Sequence, residues 1–190
     1  GATTATIGAE VVSPGDAGSF ERGVIYSPTG TNANPLLGGL GVIRVPVAGT
    51  TGAFSSGLTG LAPGTGYAWK AYAQNGLGVT YAPVQAFTTA TCPAITLASL
   101  SDTRVNLAYA GSAAASGGSA PYSYDVTAGS LPPGLTLTPS GLAAGTLSGS
   151  STAVGSYPFT ITATDAAGCA GSRSYTLVVG STVTAGSLVI

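Results

Sequence analysis

Apolar and polar residues alternate with a period of two along much of this chain, in short runs punctuated by glycine, proline and asparagine. That period belongs to strands with one face on a core and the other toward solvent. It is clearest from Tyr67 onward, where Tyr67, Trp69, Ala71 and Ala73 share one face and Ala68, Lys70, Tyr72 and Gln74 the other. Pro63-Gly64 sets a turn just before this run. Asn75-Gly76 sets a tight one after it, because both residues tolerate positive φ, and residues 79–87 are predicted to return as the next strand. Upstream, residues 2–12 alternate with Ala5, Ile7, Ala9 and Val11 on one side. A turn at 13–16 leads to a strand at 23–27, a Gly/Asn/Pro-rich connection at 28–41, and a strand at 42–47 whose Pro46 suits an edge or a bulge. Residues 53–61 lead into the turn before Tyr67. Nothing repeats at helical spacing for long enough to make a helix.

Ala90-Thr91-Cys92-Pro93 marks a boundary. Beyond it residues 94–100 and 103–110 alternate, and 112–124 reads as a flexible loop running into a strand. A Pro-rich stretch at 129–149 follows, then two strands within 154–179. Both halves close alike: a tyrosine after a glycine turn (Tyr67, Tyr157), an alternating strand, a glycine turn and a last strand. The fold class expected is all-β, two β-sandwiches in tandem, spanning 1–90 and 91–180, with 181–190 as a linker or donor-type strand.

Two sets of residues carry resemblances. Leu61-Ala62-Pro63-Gly64-Thr65-Gly66-Tyr67, the Tyr72-Ala73-Gln74-Asn75-Gly76-Leu77-Gly78 run and the closing Phe87-Thr88-Thr89 resemble the bacterial fibronectin type III domain; FERGVIYS at 20–27 resembles its third-strand segment. The likeness implies that Tyr67 bonds back to the corner before it. In the second half, Pro132-Pro133-Gly134-Leu135-Thr136-Leu137, then Gly145-Thr146-Leu147-Ser148-Gly149 and the run YPFTITATD at 157–165, resemble an immunoglobulin-like domain of bacterial surface proteins. Members of that family often carry a cysteine pair placed as Cys92 and Cys169 are here, which implies one disulfide.

Composition narrows the function classes. Charged residues are 6% of the chain, the net charge is -1, and the five basic residues are spread along it. No electrostatic footprint for nucleic acid or an anionic membrane results. So little charge implies either a neutral polar coat or a surface buried against neighbours in an assembly. No apolar run approaches the roughly 20 residues of a membrane helix. With no histidine, a Ser-His-Asp triad has no base and a cysteine nucleophile no activator. Glu10, Asp16, Glu21, Asp102, Asp125 and Asp165 stand apart in sequence, unlike the clustered acids of a calcium site, and Asp165 is expected to cap its own turn. No cofactor, metal or catalytic residue is expected. Trp69 is expected in the core. Tyr72 and Tyr81 are the candidates for an aromatic surface facing a glycan.

The ends complement one another. Relative to the fibronectin type III order, residues 2–12 match the second strand and the first is missing. The final segment, Thr182, Val183, Thr184, Ala185, Gly186, Ser187, Leu188, Val189 and Ile190, has the alternation of that first strand. Three readings follow: one period of a longer tandem protein, a subunit that donates its last strand to the next, or a tail beside a domain that does without the strand. The expected partners are copies of the chain itself, with Ala5, Ile7, Ala9 and Val11 on the accepting strand. A surface glycan or cell receptor is the further candidate partner. The function these readings suggest is that of a structural unit of an extracellular, bacterial cell-surface fibre or adhesin stalk. The alternative is a carbohydrate- or ligand-binding module of a secreted protein.

Overall fold

The computed structural model describes residues 1–13, 15 and 20–181. Among them every regular element is a strand, and the chain divides into two compact units between Cys92 and Pro93.

In the first unit, β1 (Ala5–Val11) pairs antiparallel with β4 (Gly52–Leu58), Ala5 opposite Leu58 and Val11 opposite Gly52. The facing sheet runs β3 (Ile43–Val47), β2 (Glu21–Pro28), β5 (Gly66–Asn75), β6 (Gly78–Tyr81), and β7 (Gln85–Thr88) also pairs with β5. Ile7, Phe54 and Leu58 from one sheet meet Val24, Tyr26, Tyr67 and Ala71 from the other to form the core. Pro46 lies in the edge strand β3, where a missing N–H costs no ladder bond. The strand expected over 79–87 is instead two: β6 pairs with the second half of β5 and β7 with the first. Pro83, with no N–H to donate, falls in the break.

The connection at 28–41 does more than join strands. Six consecutive residues of β2, Arg22 to Ser27, are buried, so both faces of the strand are covered. Over the outer face lies this connection: Pro35 is fully buried, the Leu37 N–H donates to the Tyr81 hydroxyl (3.2 Å), and the Thr29 N–H donates to the Gly66 carbonyl (2.8 Å). Tyr72, placed by alternation on the outer face, is 1% exposed, with the Arg44 guanidinium 5.8 Å from its ring centre.

In the second unit, one layer consists of β8 (Thr96–Leu97) on β11 (Ala115–Ser116) and of β10 (Ala108–Ser112), β14 (Thr146–Ser150) and β13 (Leu135–Leu137) in that order. The other runs β12 (Ser123–Gly129), β15 (Gly155–Thr164), β16 (Ala170–Gly180), β9 (Thr103–Arg104). The pairing of β9 with β16 is parallel. The expected strand over 103–110 is broken by a turn in which Asn106 takes φ 60°, a conformation its short polar side chain tolerates. The loop at 112–124 is held rather than loose: it contains β11, its Gly118 N–H donates to the Tyr122 hydroxyl, and its Ser119 N–H to Asp165. The Pro-Pro-Gly-Leu motif is a tight turn into β13, with Pro132 buried and the Leu135 N–H returning to the Pro132 carbonyl. A Cβ on Gly134 would lie 2.2 Å from the Ser150 carbonyl, and its φ is +90°, so only glycine fits there.

Candidate assembly site

Strand β1 is incompletely paired, as is its partner β4. Among the described residues β4 is its sole strand partner, so the backbone groups of the other edge have no ladder to enter. Its inward residues are also under-covered: Ile7 is buried, while Ala5, Ala9 and Val11 are only half-buried. Beside them a cleft of about 480 Å³ opens between the sheets, walled by Ala9, Val11 and Phe54 on one side and Ala71, Ala73 and Thr80 on the other. Small side chains on facing strands leave this space; a packed interior tolerates few voids larger than a water molecule.

The residues before β1 fix a direction. The Gly1 amino group donates to the Thr4 carbonyl at 2.9 Å; four extended residues would separate these atoms by roughly 10 Å, so the chain doubles back across Ala2-Thr3. The Thr3 carbonyl accepts the Leu61 N–H (3.0 Å) on the side of β4. Successive carbonyls of an extended chain point to opposite edges, so the Thr4 carbonyl and Gly1 stand on the open edge of β1. Ala2 is buried, and the Gly1 carbonyl accepts the Ala90 N–H (3.2 Å). A segment continuing this direction along β1 runs antiparallel to it. Residues 182–190, the expected donor strand, lie outside the described residues.

Near the cleft, three strands bring together Glu21, Arg44 and Tyr72. Arg44 donates from Nε to Glu21 Oε1 (3.0 Å) and to the Tyr72 hydroxyl (3.1 Å), and from its terminal nitrogen to Glu21 Oε2; the Tyr72 hydroxyl donates to Glu21. The Arg44 hydrogen bond, then that of Tyr72, holds the Glu21 carboxyl below its ordinary value. Burial, with Glu21 adding to it, pushes the Tyr72 phenol up, and the bond to Glu21 raises Arg44. Glu21 is isolated in sequence but paired in the fold, because β2, β3 and β5 are neighbours. The expected aromatic surface does not form here: Tyr72 is interior, and Tyr81 is engaged by the Leu37 N–H and by the Lys70 ammonium 5.6 Å from its ring centre. Trp69 packs, half-buried, against the core. Among the described residues no three metal-ligating side chains gather, and no helix is long and apolar enough to cross a membrane.

Arg22 gives no sequence signal for its role. It is 6% exposed, and its guanidinium donates to the carbonyls of Ala48, Thr51 and Gly52 while lying 4.9 Å from the Phe54 ring centre. It thereby ties the turn between β3 and β4 to the core. Tyr67, buried between Phe87 (centroids 5.4 Å) and Tyr26 (6.0 Å), accepts the Ala62 N–H at 2.9 Å. Thr89 braces the same corner by donating to the Ala62 carbonyl (2.7 Å). In the second unit Tyr157 instead donates to the Ala153 carbonyl (3.2 Å), and it is Tyr124, unremarked in sequence, that is buried and accepts a backbone N–H, from Ala115 (2.9 Å).

Cys92 and Cys169 are both disulfide-bonded and, being the chain's two cysteines, are bonded to each other. Cys169 is 1% exposed and follows Asp165, whose carboxylate does more than cap its own turn. Oδ1 accepts the N–H groups of Ala167 (2.9 Å) and Cys169 (2.8 Å), and Oδ2 accepts that of Ser119 (2.9 Å) from the 112–124 loop. These bonds, the one from Ser119 foremost, hold the Asp165 carboxyl below its ordinary value.

No curated protein matches the chain. Among solved structures it is similar to the FN1–FN3 domains of chicken CNTN1 (13% identity, TM-score 0.34, 94% of this chain and 62% of that one). It is also similar to a C-terminal 282-residue fragment of intimin in complex with the intimin-binding domain of the translocated intimin receptor (17%, 0.31, 93% and 58%). A third is the ectodomain of human desmocollin-1 (14%, 0.33, 85% and 33%). The chain thus spans less than two thirds of each of these structures. A family model described as "Putative Ig domain" matches residues 85–180, which is 96 of the 190 residues and includes both cysteines, and the chain belongs to that family.

Proposed function

We propose that this chain is a structural unit of an extracellular, bacterial cell-surface fibre or adhesin stalk, in which residues 182–190 of one unit pair with β1 of the next. The observation that carries this reading is the one-sided ladder of β1 beside an open cleft. The reversal at Gly1–Thr4 supports an antiparallel donor, entering with Ile190 beside Ala5. Leu188 then faces Ile7, Gly186 faces Ala9 and Thr184 faces Val11. Opposed residues of an antiparallel pair share a face, so Leu188 and Ile190 turn into the core with Ile7. Val183, Ala185, Ser187 and Val189 turn outward with Thr6, Gly8 and Glu10. Such a contact joins two different surfaces and does not close on itself, which yields a filament. The next unit is a separate chain or the following repeat; the contact is the same. An oxidising, extracellular setting accords with the disulfide, and the sparse charge with a surface largely covered by neighbours.

The test compares Leu188→Asp and Ile190→Asp with Val189→Asp, with assembly followed by light scattering and electron microscopy. The first two are expected to abolish filaments while circular dichroism shows both units folded; Val189→Asp is expected to keep them. Filaments unaffected by Leu188→Asp and Ile190→Asp, or an equal loss in all three, would overturn the reading.

A further inference from the structure

We propose that the second unit is a tension link that its disulfide makes inextensible: pulled along the chain, it transmits force without lengthening. Chain order sets the path of the force, and no strand donation is needed for it. Tension leaves the first unit at Cys92, its last residue, and leaves the second past Gly180, the last residue of β16. Because Cys92 is bonded to Cys169, the load crosses the disulfide and bypasses residues 93–168, 76 in all. Only residues 169–180 remain in the path, and all but the first form β16.

A strand is already nearly taut. It rises about 3.3 Å per residue, against a limit of about 3.6 Å for a fully stretched chain, so twelve residues hold roughly 4 Å of slack. The strand is also anchored where the force enters and leaves. At the entry, Cys169 is buried, its N–H is held by Asp165 Oδ1 and its carbonyl accepts the Asp165 N–H (2.9 Å). At the exit, the Val178 N–H donates to Asp102 Oδ1 (2.8 Å), the Gly180 carbonyl accepts the Val105 N–H (2.9 Å), and β9 pairs in parallel with Val179 and Gly180. Between them β15 pairs with β16 from Gly155↔Val179 to Thr164↔Ala170. The strand that carries the load is therefore laddered by β15 over nearly its whole length and by β9 at its exit. Residues 1–91 contain no cysteine, so the first unit has no such bypass and lengthens when it unfolds.

The test is single-molecule stretching of the full chain held at both ends, in oxidising buffer and with dithiothreitol. Under oxidising conditions one long extension is expected, from the first unit, roughly 300 Å for about 90 residues at ~3.5 Å each. With reductant, release of the 76 bypassed residues, 93–168, is expected to add about 270 Å at ~3.5 Å each, as a second step if the reduced unit is folded or as extra length at low force if it is not. A second long extension under oxidising conditions sinks the proposal by itself, however the reduced unit behaves. So does an identical total length in the two buffers.

Discussion

The two units open differently. In the second, residues 93–104 are tied into both layers, β8 onto β11 and β9 in parallel onto β16, with Cys92 bonded just ahead of them. In the first, β1 follows a short reversal and, among the described residues, carries a ladder on one edge only. Beside it lies a cleft whose walls include Ala9, Ala71 and Ala73. Sandwiches of one general architecture thus manage the same flank in two ways. One closes it within its own residues and adds a covalent bond; the other has a single ladder there among the described residues. The lesson is that an open flank in one sandwich is informative when its neighbour in the same chain shows what closure looks like.

The sharpest way to break this contrast is to remove the covalent part. Cys92→Ser with Cys169→Ser opens a loop of 169 − 92 = 77 residues, and the chain-entropy relation assigns such a loop a loss of about 4–5 kcal/mol. Urea unfolding followed at the first unit's Trp69, the chain's one tryptophan, is expected to be unchanged, while far-ultraviolet circular dichroism shows the second unit melting earlier. An equal shift in both signals would mean that the units do not unfold separately.

Arg22 is the first unit's own fastening, and it is noncovalent. Arg22→Ala leaves the carbonyls of Ala48, Thr51 and Gly52 without their charged donor, an expected loss of about 3 kcal/mol in the Trp69 transition. Arg22→Lys is expected to recover little of it, because one ammonium does not reproduce a planar fork that bonds Ala48 on one side and Thr51 and Gly52 on the other. Recovery by lysine to wild-type stability would show that charge, not geometry, holds this turn.

What the sequence revealed follows period and punctuation. The alternation around Tyr67, the edge placement of Pro46 and the Pro63-Gly64 turn were legible because each is a local backbone demand. The outer covering of β2 was not, since a Gly/Asn/Pro-rich stretch looks the same whether it projects into solvent or lies across a sheet; the unbroken FERGVIYS run was the available hint. Glu21 with Arg44, Arg22 with its carbonyls, and Asp165 with Ser119 join residues 23 to 46 positions apart. No spacing rule brings such pairs together; only strand order does. Of the candidate assembly site, the inward face of β1 was legible from its alternation. The cleft was not, because it depends on which small residues the opposite sheet sets across from β1.

Acid separates the units by a different group in each. The folded pKa of Asp165 lies below its ordinary value, and the same holds for Glu21, whose main partner is Arg44. Each carboxylate therefore adds stability above the unfolded-state value of about 4, and that contribution is lost as pH falls through the lower folded value, where the native form must take up the proton. Asp165→Asn is expected to flatten the acid limb of the second unit alone, and Glu21→Gln that of the first alone. Thermal melts between pH 6 and pH 2.5 read both. Cross-effects, with Asp165→Asn altering the Trp69 transition, would contradict independent units.

The smallest effect expected concerns the tyrosines that made the two halves look alike in sequence. Tyr67 is buried and its hydroxyl accepts the Ala62 N–H; a phenylalanine there turns an apolar ring edge toward that donor. The expected cost of Tyr67→Phe is about 1 kcal/mol. Tyr157 is half-exposed and donates to a carbonyl, that of Ala153, which also accepts the Ser151 hydroxyl at 3.2 Å. Its removal leaves the acceptor a partner, so Tyr157→Phe is expected to cost a few tenths of a kcal/mol at most. The matching change in role is Tyr124→Phe, which leaves the Ala115 N–H facing a ring in the second unit and is expected to resemble Tyr67→Phe. Denaturant midpoints of the three variants rank them. If Tyr157→Phe proved as costly as Tyr67→Phe, the hydrogen-bond sense of the two hydroxyls would not be what distinguishes them, and equivalence by sequence position would be the better guide.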